Sequence, residues 1–417
     1  MKLWEKKYQL NKQIESYTVG NDYLVDQKLV KYDCQGSIAH AKALNKIGVL
    51  TDEECNKIIM VLYEIIKMDN NGSFVIEQHD EDCHTAIEKY LVKKLRDTGK
   101  KIHTARSRND QVLTALRLYY KDEIKCVISL VKLLIESFAK LNKKYGHVEL
   151  PGYTHTRKAM PSSVGLWCNA FIESMNDNKL VLSQTYELID QSPLGTGAGH
   201  GLPIKTDRKL TTELLGFGKT QENPIYAQNS RGKFESTILH TLSQIMLDLN
   251  KISSDILLFS MSEFGFFSMT SEICTGSSIM PHKKNPDVLE IIRAKYHQII
   301  SYEFEVKGII GNLISGYNRD IQLTKQPVIN GFETTKESLK IMKIVIKNLH
   351  VNNAKCEKAM TEELYTTKRV HDLVEKGIPF REAYKKIAQE YTENKRKKEN
   401  FTELMRVSQQ YLQLQVV

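Results

Sequence analysis

Three short stretches of this chain concentrate the side chains that could do chemistry. The first is His103-Thr104-Ala105-Arg106-Ser107-Arg108-Asn109-Asp110-Gln111. Arg106 and Arg108 can each fork onto a carboxylate, and Ser107 and Asn109 add neutral hydrogen bonds, so the stretch reads as a carboxylate receptor. It reads equally as a helix start capped by Ser107 or Asn109, with the arginines paired to acidic neighbours. The second is Pro151-Gly152-Tyr153-Thr154-His155-Thr156-Arg157. His155, beside Thr154 in a Gly-Pro loop at a helix end, is an acid-base candidate because imidazole titrates near neutrality. A lone histidine is more often a hydrogen-bonded structural residue. The third is Thr275-Gly276-Ser277-Ser278-Ile279-Met280-Pro281-His282-Lys283-Lys284-Asn285-Pro286. Gly276 supplies mobility and the two serines supply hydroxyls. Lys283 and Asn285 stand just ahead of a helix start, where positive charge and amide donors converge on an anion. The bland alternative is a Gly-Ser turn with exposed lysines.

The motifs that are missing narrow the chemistry. There is no G-x-x-x-x-G-K-[ST], no G-x-G-x-x-G after a strand, no H-E-x-x-H and no G-x-S-x-G, so nucleotide, metalloprotease and esterase readings lose their main support. The seven cysteines are scattered and never form C-x-x-C, which suits free thiols better than a disulfide framework or a zinc site. What remains is chemistry without a cofactor or metal on a small molecule carrying several carboxylates. Lys and Arg number 59 against 50 Asp and Glu, a net charge of +9. An acidic small-molecule substrate, a diffuse solvated surface and nucleic acid all fit that excess, but nucleic-acid binding rests on it alone. With no apolar leader and no run of about 18 apolar residues, a soluble, unprocessed, cytoplasmic protein with no membrane contact is expected.

Such loops need rigid elements to hold them. The 417 residues include only 22 Gly and 9 Pro, against roughly 29 and 21 at average usage, so helices should run long. Between Val112 and Tyr145 there is neither, and Leu116, Tyr120, Ile124, Val127, Val131, Leu134, Phe138 and Leu141 recur at helical spacing. Lys233 to Phe264 repeats the pattern with Phe234, Ile238, Leu242, Ile245, Leu249, Ile252, Ile256 and Phe259. A third run starts at Asn285-Pro286, with Asn as N-cap and Pro as first helical residue. Weaker helical runs cover 162–188 and 333–349. In the N-terminal part, helices are expected at 36–44, 51–66 and 82–95, the second opened by a capping box at Thr51. Stripes this long must be buried side by side, so an all-α fold with a helical bundle shared between subunits is expected. The expected division is 1–105, 106–355 and 356–417. The Lys395-Arg396-Lys397-Lys398 cluster reads as a solvated face or tail.

The third stretch resembles the G-S-S-x-M-P-x-K-x-N-P signature of the fumarase/aspartase superfamily. H-T-A-R-S-R-N-D-Q and P-G-Y-T-H are similar to its argininosuccinate lyase branch. So are Glu81-Asp82-Cys83-His84, Gln35-Gly36-Ser37-Ile38-Ala39-His40, Ser192-Pro193-Leu194-Gly195 and Tyr317-Asn318-Arg319-Asp320-Ile321-Gln322 with Lys325. The resemblance covers roughly residues 1–390. It implies a three-domain, all-α fold whose central bundle of long helices forms the core of a homotetramer, with active sites assembled from three subunits. The implied reaction is reversible cleavage of argininosuccinate to arginine and fumarate, without a cofactor.

The resemblance also implies roles. Ser277 would be the base that takes a proton from the carbon beside a carboxylate, ionised with the help of Lys283. Lys283 and Asn285 would hold the developing negative charge. His155, paired with the carboxylate of Glu290, would protonate the leaving nitrogen or position a water that does. Ser107, Arg108, Asn109 and Thr154 would hold the succinyl carboxylates, and Tyr317, Gln322 and Lys325 the arginine-derived end. His282 stands where glutamine is common, 226–233 departs from the usual pattern and receives no role, and a serine expected near Gly20-Asn21-Asp22 is absent. Adenylosuccinate lyase and fumarase, which share the serine loop, and a non-catalytic crystallin-like relative are the alternatives.

Overall fold

The chain is described by a computed structural model covering residues 11–393. The basic cluster at 395–398 lies outside the described residues. Helices dominate. The run read from Val112 is a 38-residue helix, Arg108–Tyr145, roughly 57 Å long, and its whole predicted stripe from Leu116 to Leu141 is buried. The second run forms Lys233–Ser260, and each of its eight predicted stripe residues is buried too. Absence of Gly and Pro and a continuous apolar face were sufficient to specify both elements.

The weaker runs become Val164–Ile189 and Lys325–Lys347. The third long helix is Asp287–Ile310, so Pro286 takes the N-cap position expected for Asn285. The reason is local: the Asn285 backbone is occupied in a two-way bridge to Thr275, at 2.8 and 2.9 Å. In the N-terminal part, helices cover Val30–Lys46, Asp52–Asn70 and Cys83–Leu95. Thr51 makes the predicted capping box, its hydroxyl accepting from the Glu54 N–H while the Glu54 carboxylate accepts from the Thr51 N–H.

Contacts group the chain into two compact units. One holds residues up to 136 with 173–254 and 286–344; the other holds 137–172, 255–285 and the chain from 345 on. In the first unit, Tyr119 and Phe332 meet edge to face, as do Tyr32 and Tyr119. In the second, Trp167 packs among Phe138, Phe171 and Phe267 and donates its indole N–H to Asp255 at 2.9 Å.

Among the described residues, three two-stranded sheets interrupt the helices. Gln191–Ser192 runs parallel to Lys219–Thr220, and Phe267–Met269 antiparallel to Leu349–Val351. The third is a hairpin of Glu149–Thr154 with Arg157–Ser163, carrying His155 and Thr156 at its tip. The loop expected at a helix end is therefore a β-turn; Pro151 and Gly152 sit inside a strand that bulges between Pro151 and Tyr153. No helix of the described residues is long and apolar enough to cross a membrane.

Candidate active site

The first unit gathers six of the seven residues assigned to substrate binding, all but Thr154. Ser107 opens the first long helix: its Oγ accepts from the Asn109 N–H at 3.2 Å, and its own N–H donates to Asp110 Oδ1 at 3.0 Å. This start turns Arg108 toward the Cys83–Leu95 helix. Its Nη1 lies 3.4 Å from Glu81 and 3.3 Å from Asp82, and Nη2 donates to Thr85 Oγ1 at 2.9 Å. Burial opposes the guanidinium charge, yet Asp82 and Glu81 raise its pKa, so the fork is held by carboxylates of its own chain. Arg106 is instead buried and donates to Ser37 Oγ at 2.8 Å.

Lys325 is almost fully buried, with its ammonium 2.6 Å from both Asp22 and Asp26. Burial works against its charge, but the two carboxylates outweigh burial and raise its pKa. Two carboxylates on one ammonium do not both stay acidic: burial, with Asp26 nearby, pushes Asp22 up to about 6 in spite of Lys325. Asp82 goes the other way. Burial would raise it, but His84 and Arg108 hold it below the usual carboxylate range.

Arg108, Asn109, Tyr317, Gln322 and Lys325 line one small cavity of about 40 Å³, together with Asp22, Glu81, Asp82 and His84. A larger cleft of about 400 Å³ shares Val19, Asp22 and Gln322 with it and extends along Tyr17–Asn21 and Asn330. Gln322 and Arg319 both donate to the Thr18 carbonyl, at 3.2 and 3.0 Å, and tie the segment after Tyr317 to the chain's N-terminal part. Thus five of the seven residues assigned to binding share a cavity; Ser107 caps the helix beside it, and Thr154 belongs to the other unit.

That cavity also contains Arg231, only 4% exposed, to which the sequence reading gave no role. Its signal was a basic side chain in a segment unlike the expected pattern. Asp110, inside S-R-N-D-Q, likewise has no role in the sequence pattern.

The second unit carries four of the five residues assigned to catalysis: His155, Ser277, Lys283 and Asn285. His155 and Thr156 occupy the two central positions of the hairpin turn at φ 51° and 58°, as in a type I′ turn. Asn and Gly suit that turn; a β-branched Thr does not, so the turn stores strain at the residue beside the candidate acid. Both side chains, and that of Thr154, are exposed. Ser277 lies in the loop closed by the Thr275–Asn285 bridge, where its Oγ accepts from the N–H groups of Met280 at 3.1 Å and Ile279 at 3.4 Å. Donors aimed at a hydroxyl oxygen favour its ionised form. Asn285 Nδ2 points at the Gly276 carbonyl, and Lys283 is exposed. Glu290 is exposed in the first turn of Asp287–Ile310, which belongs to the first unit.

Asp26, Cys83 and His84 are the one buried donor group among the described residues with spacing for a metal ion. Each is already engaged. Asp26 holds Lys325 and accepts from the Cys83 N–H at 3.2 Å, and His84 Nδ1 lies 3.3 Å from Asp33. Burial raises the Cys83 thiol well above its usual range, which does not suit a thiolate ligand.

Long helices, a cavity where four cations meet three carboxylates, and a loop holding Ser277 fit a lyase of the fumarase type, and comparison gives that class. Residues 7–301 match the lyase family. An argininosuccinate lyase of Thermotoga neapolitana is 52% identical over 394 residues, 94% of this chain and 99% of that protein. One of Bacteroides fragilis is 40% identical over 93% of this chain and 86% of its own. Among solved structures, a fumarate lyase:delta crystallin from Brucella melitensis, bound to cobalt, has a TM-score of 0.77 at 18% identity, covering 93% of this chain and 87% of that one. A class II fumarase from Schistosoma mansoni has a TM-score of 0.75 at 17% identity, covering 92% of each chain. The chain belongs to the argininosuccinate lyase family.

Proposed function

We propose that this protein catalyses the reversible elimination of fumarate from argininosuccinate, giving arginine, as a step of arginine biosynthesis. The observation that carries the reading is a serine loop and a cation-lined binding cavity in a chain 52% identical to an argininosuccinate lyase over nearly the full length of both. The reaction removes a proton from the carbon beside a carboxylate; those electrons form the new C=C bond, the C–N bond breaks, and the guanidino nitrogen gains a proton. No oxidation state of a cofactor changes. Ser277 is the base, Lys283 and Asn285 stabilise the charge that develops on the carboxylate, and His155 with Glu290 serves the leaving nitrogen. Ser107, Arg108, Asn109 and Thr154 hold the succinyl part, with a substrate carboxylate exchanging for Glu81 or Asp82 on Arg108. Tyr317, Gln322 and Lys325 face the arginine-derived end.

The protein works as a cytoplasmic homotetramer with sites completed by neighbouring subunits, on the three-domain plan 1–105, 106–355 and 356–417. The substrate is a small polyanion, not nucleic acid. The test is fumarate release from argininosuccinate, followed by ultraviolet absorbance, beside adenylosuccinate as control. Turnover of adenylosuccinate alone would overturn the reading, and a fully active monomer would remove the shared site.

A further inference from the structure

Asp110 is fully buried at the first turn of the Arg108–Tyr145 helix, and each of its carboxylate oxygens serves a different segment. Oδ1 accepts from the Ser107 N–H at 3.0 Å, which sets the turn bearing Ser107, Arg108 and Asn109. Oδ2 accepts from the N–H groups of Gly195 and Gly197, at 3.0 and 2.9 Å, in the loop Pro193-Leu194-Gly195-Thr196-Gly197-Ala198-Gly199-His200-Gly201. A carboxylate burying itself against three N–H donors has no need of them for the helix alone, since one oxygen completes the cap. The second oxygen fixes a loop that runs next to Gln228 and Gly316. A Cβ at Gly199 would lie 3.0 Å from Gln228 Cγ and 3.9 Å from Gly316 Cα. Gly316, whose N–H donates to Asn229 Oδ1 at 2.8 Å, is the residue before Tyr317.

We propose that Asp110 is a positioning residue for substrate binding: its two oxygens lock the Ser107–Asn109 turn and the 193–201 loop in one register, and through Gly199 and Gly316 set Tyr317 opposite Asn109. It touches no substrate atom. The inference rests on the roles given above to Asn109 and Tyr317. Arg106 from the preceding segment and Arg208 from the Arg208–Leu214 helix are the charged groups that act on it. Burial pushes its carboxyl up to about 6 even though three N–H donors oppose this, so at neutral pH an ion is kept where water is excluded.

Asp110→Asn separates the two oxygens' roles, because an amide of nearly the same shape offers one acceptor and places an NH2 against N–H donors on the other side. In the intact enzyme, KM for argininosuccinate is expected to rise at least tenfold while kcat stays within about threefold. Asp22, in the binding cavity, also titrates near 6, so KM should climb in both proteins as pH falls through 6, but by a larger factor in wild type than in the variant, which has already lost the Asp110 charge. Asn109→Ala is measured in parallel. If Asn109→Ala leaves KM unchanged, the binding reading itself fails. If Asn109→Ala raises KM while folded Asp110→Asn matches wild type, or loses kcat at unchanged KM, the positioning role is overturned. Should Asp110→Asn fail to fold, Gly197→Ala decides instead. It keeps the carboxylate but crowds the donor loop against the Gly201 carbonyl, 2.9 Å from the new Cβ. A KM at least fivefold higher supports the proposal, and a KM within twofold of wild type ends it.

Discussion

Two glycine-bearing loops of this molecule are built to opposite specifications. The 193–201 loop is pinned by a buried carboxylate, and Gly195, Gly197, Gly199 and Gly201 all sit at positive φ. The 275–285 loop is closed by the Thr275–Asn285 bridge, its side chains are largely exposed, and a Cβ at Gly276 would meet nothing within 4 Å. Glycine in the first is demanded by geometry, and in the second is compatible with freedom to move. The first loop is tied through Asp110 to the helix start that carries Arg108 and Asn109, two residues lining the small cavity, and the second carries Ser277. On the proposed reading, the binding residues are pre-organised by buried ion pairs, while the proposed base sits on a loop whose glycine has room to move.

The largest effect that tests this division is on turnover. Ser277→Ala should lower kcat by about a thousandfold or more, on the scale of losing a general base together with its charge-stabilising environment. Its KM and melting temperature should stay near wild type, since the side chain contacts only two N–H groups of its own loop. A variant retaining near wild-type kcat would mean that the base lies elsewhere.

Next in size is Lys325→Met, which strips the cation from the pinned side. Asp22 and Asp26 would be left facing each other in a buried site, a loss of about 3–5 kcal/mol of stability for breaking such a pair. Urea unfolding measures it. A change under 1 kcal/mol would show that water enters the cluster and that the cavity is not pre-organised.

The glycines give the direct contrast. Gly199→Ala, at φ 107° and with Gln228 Cγ 3.0 Å from the new Cβ, should cost about 1–3 kcal/mol. Gly276→Ala should change stability by less than about 0.5 kcal/mol while lowering kcat if loop motion limits turnover. Equal stability losses in thermal melts would erase the distinction between the loops.

The same division marks what the sequence disclosed. Both long helices were legible because their signal is periodic: every residue of the two predicted stripes is buried. The three polar stretches stood out because they break that period. The hairpin at His155 was not legible, since its turn runs through two residues at positive φ with neither Asn nor Gly to announce it. Nor was the occupation of Arg108 and Lys325 by internal carboxylates, because their partners arrive from 26 to 303 residues away in the chain, counting Asp82 to Arg108 and Asp22 to Lys325. Arg231 was missed for the opposite reason, a divergent local pattern around a residue whose place is set by the cavity. Spacing reveals which elements form, but charge pairing across the fold depends on where they meet.

The smallest effect concerns pH and separates two carboxylates of the pinned side. Asp22, pushed up to about 6, binds a proton in the folded state that the unfolded chain, titrating near 4, does not yet bind. Its contribution to stability therefore grows as pH falls from about 6 to 4. Asp82, held below the usual range, contributes above about 4 and loses that contribution as pH falls through its folded pKa. The melting temperature of Asp22→Asn, subtracted from that of wild type across pH 4 to 7, should therefore change by a few degrees, with wild type gaining relative to the variant toward pH 4. A difference that is flat across this range would mean that Asp22 and Asp26 share Lys325 without competition, and that the cluster stores less strain than its geometry implies.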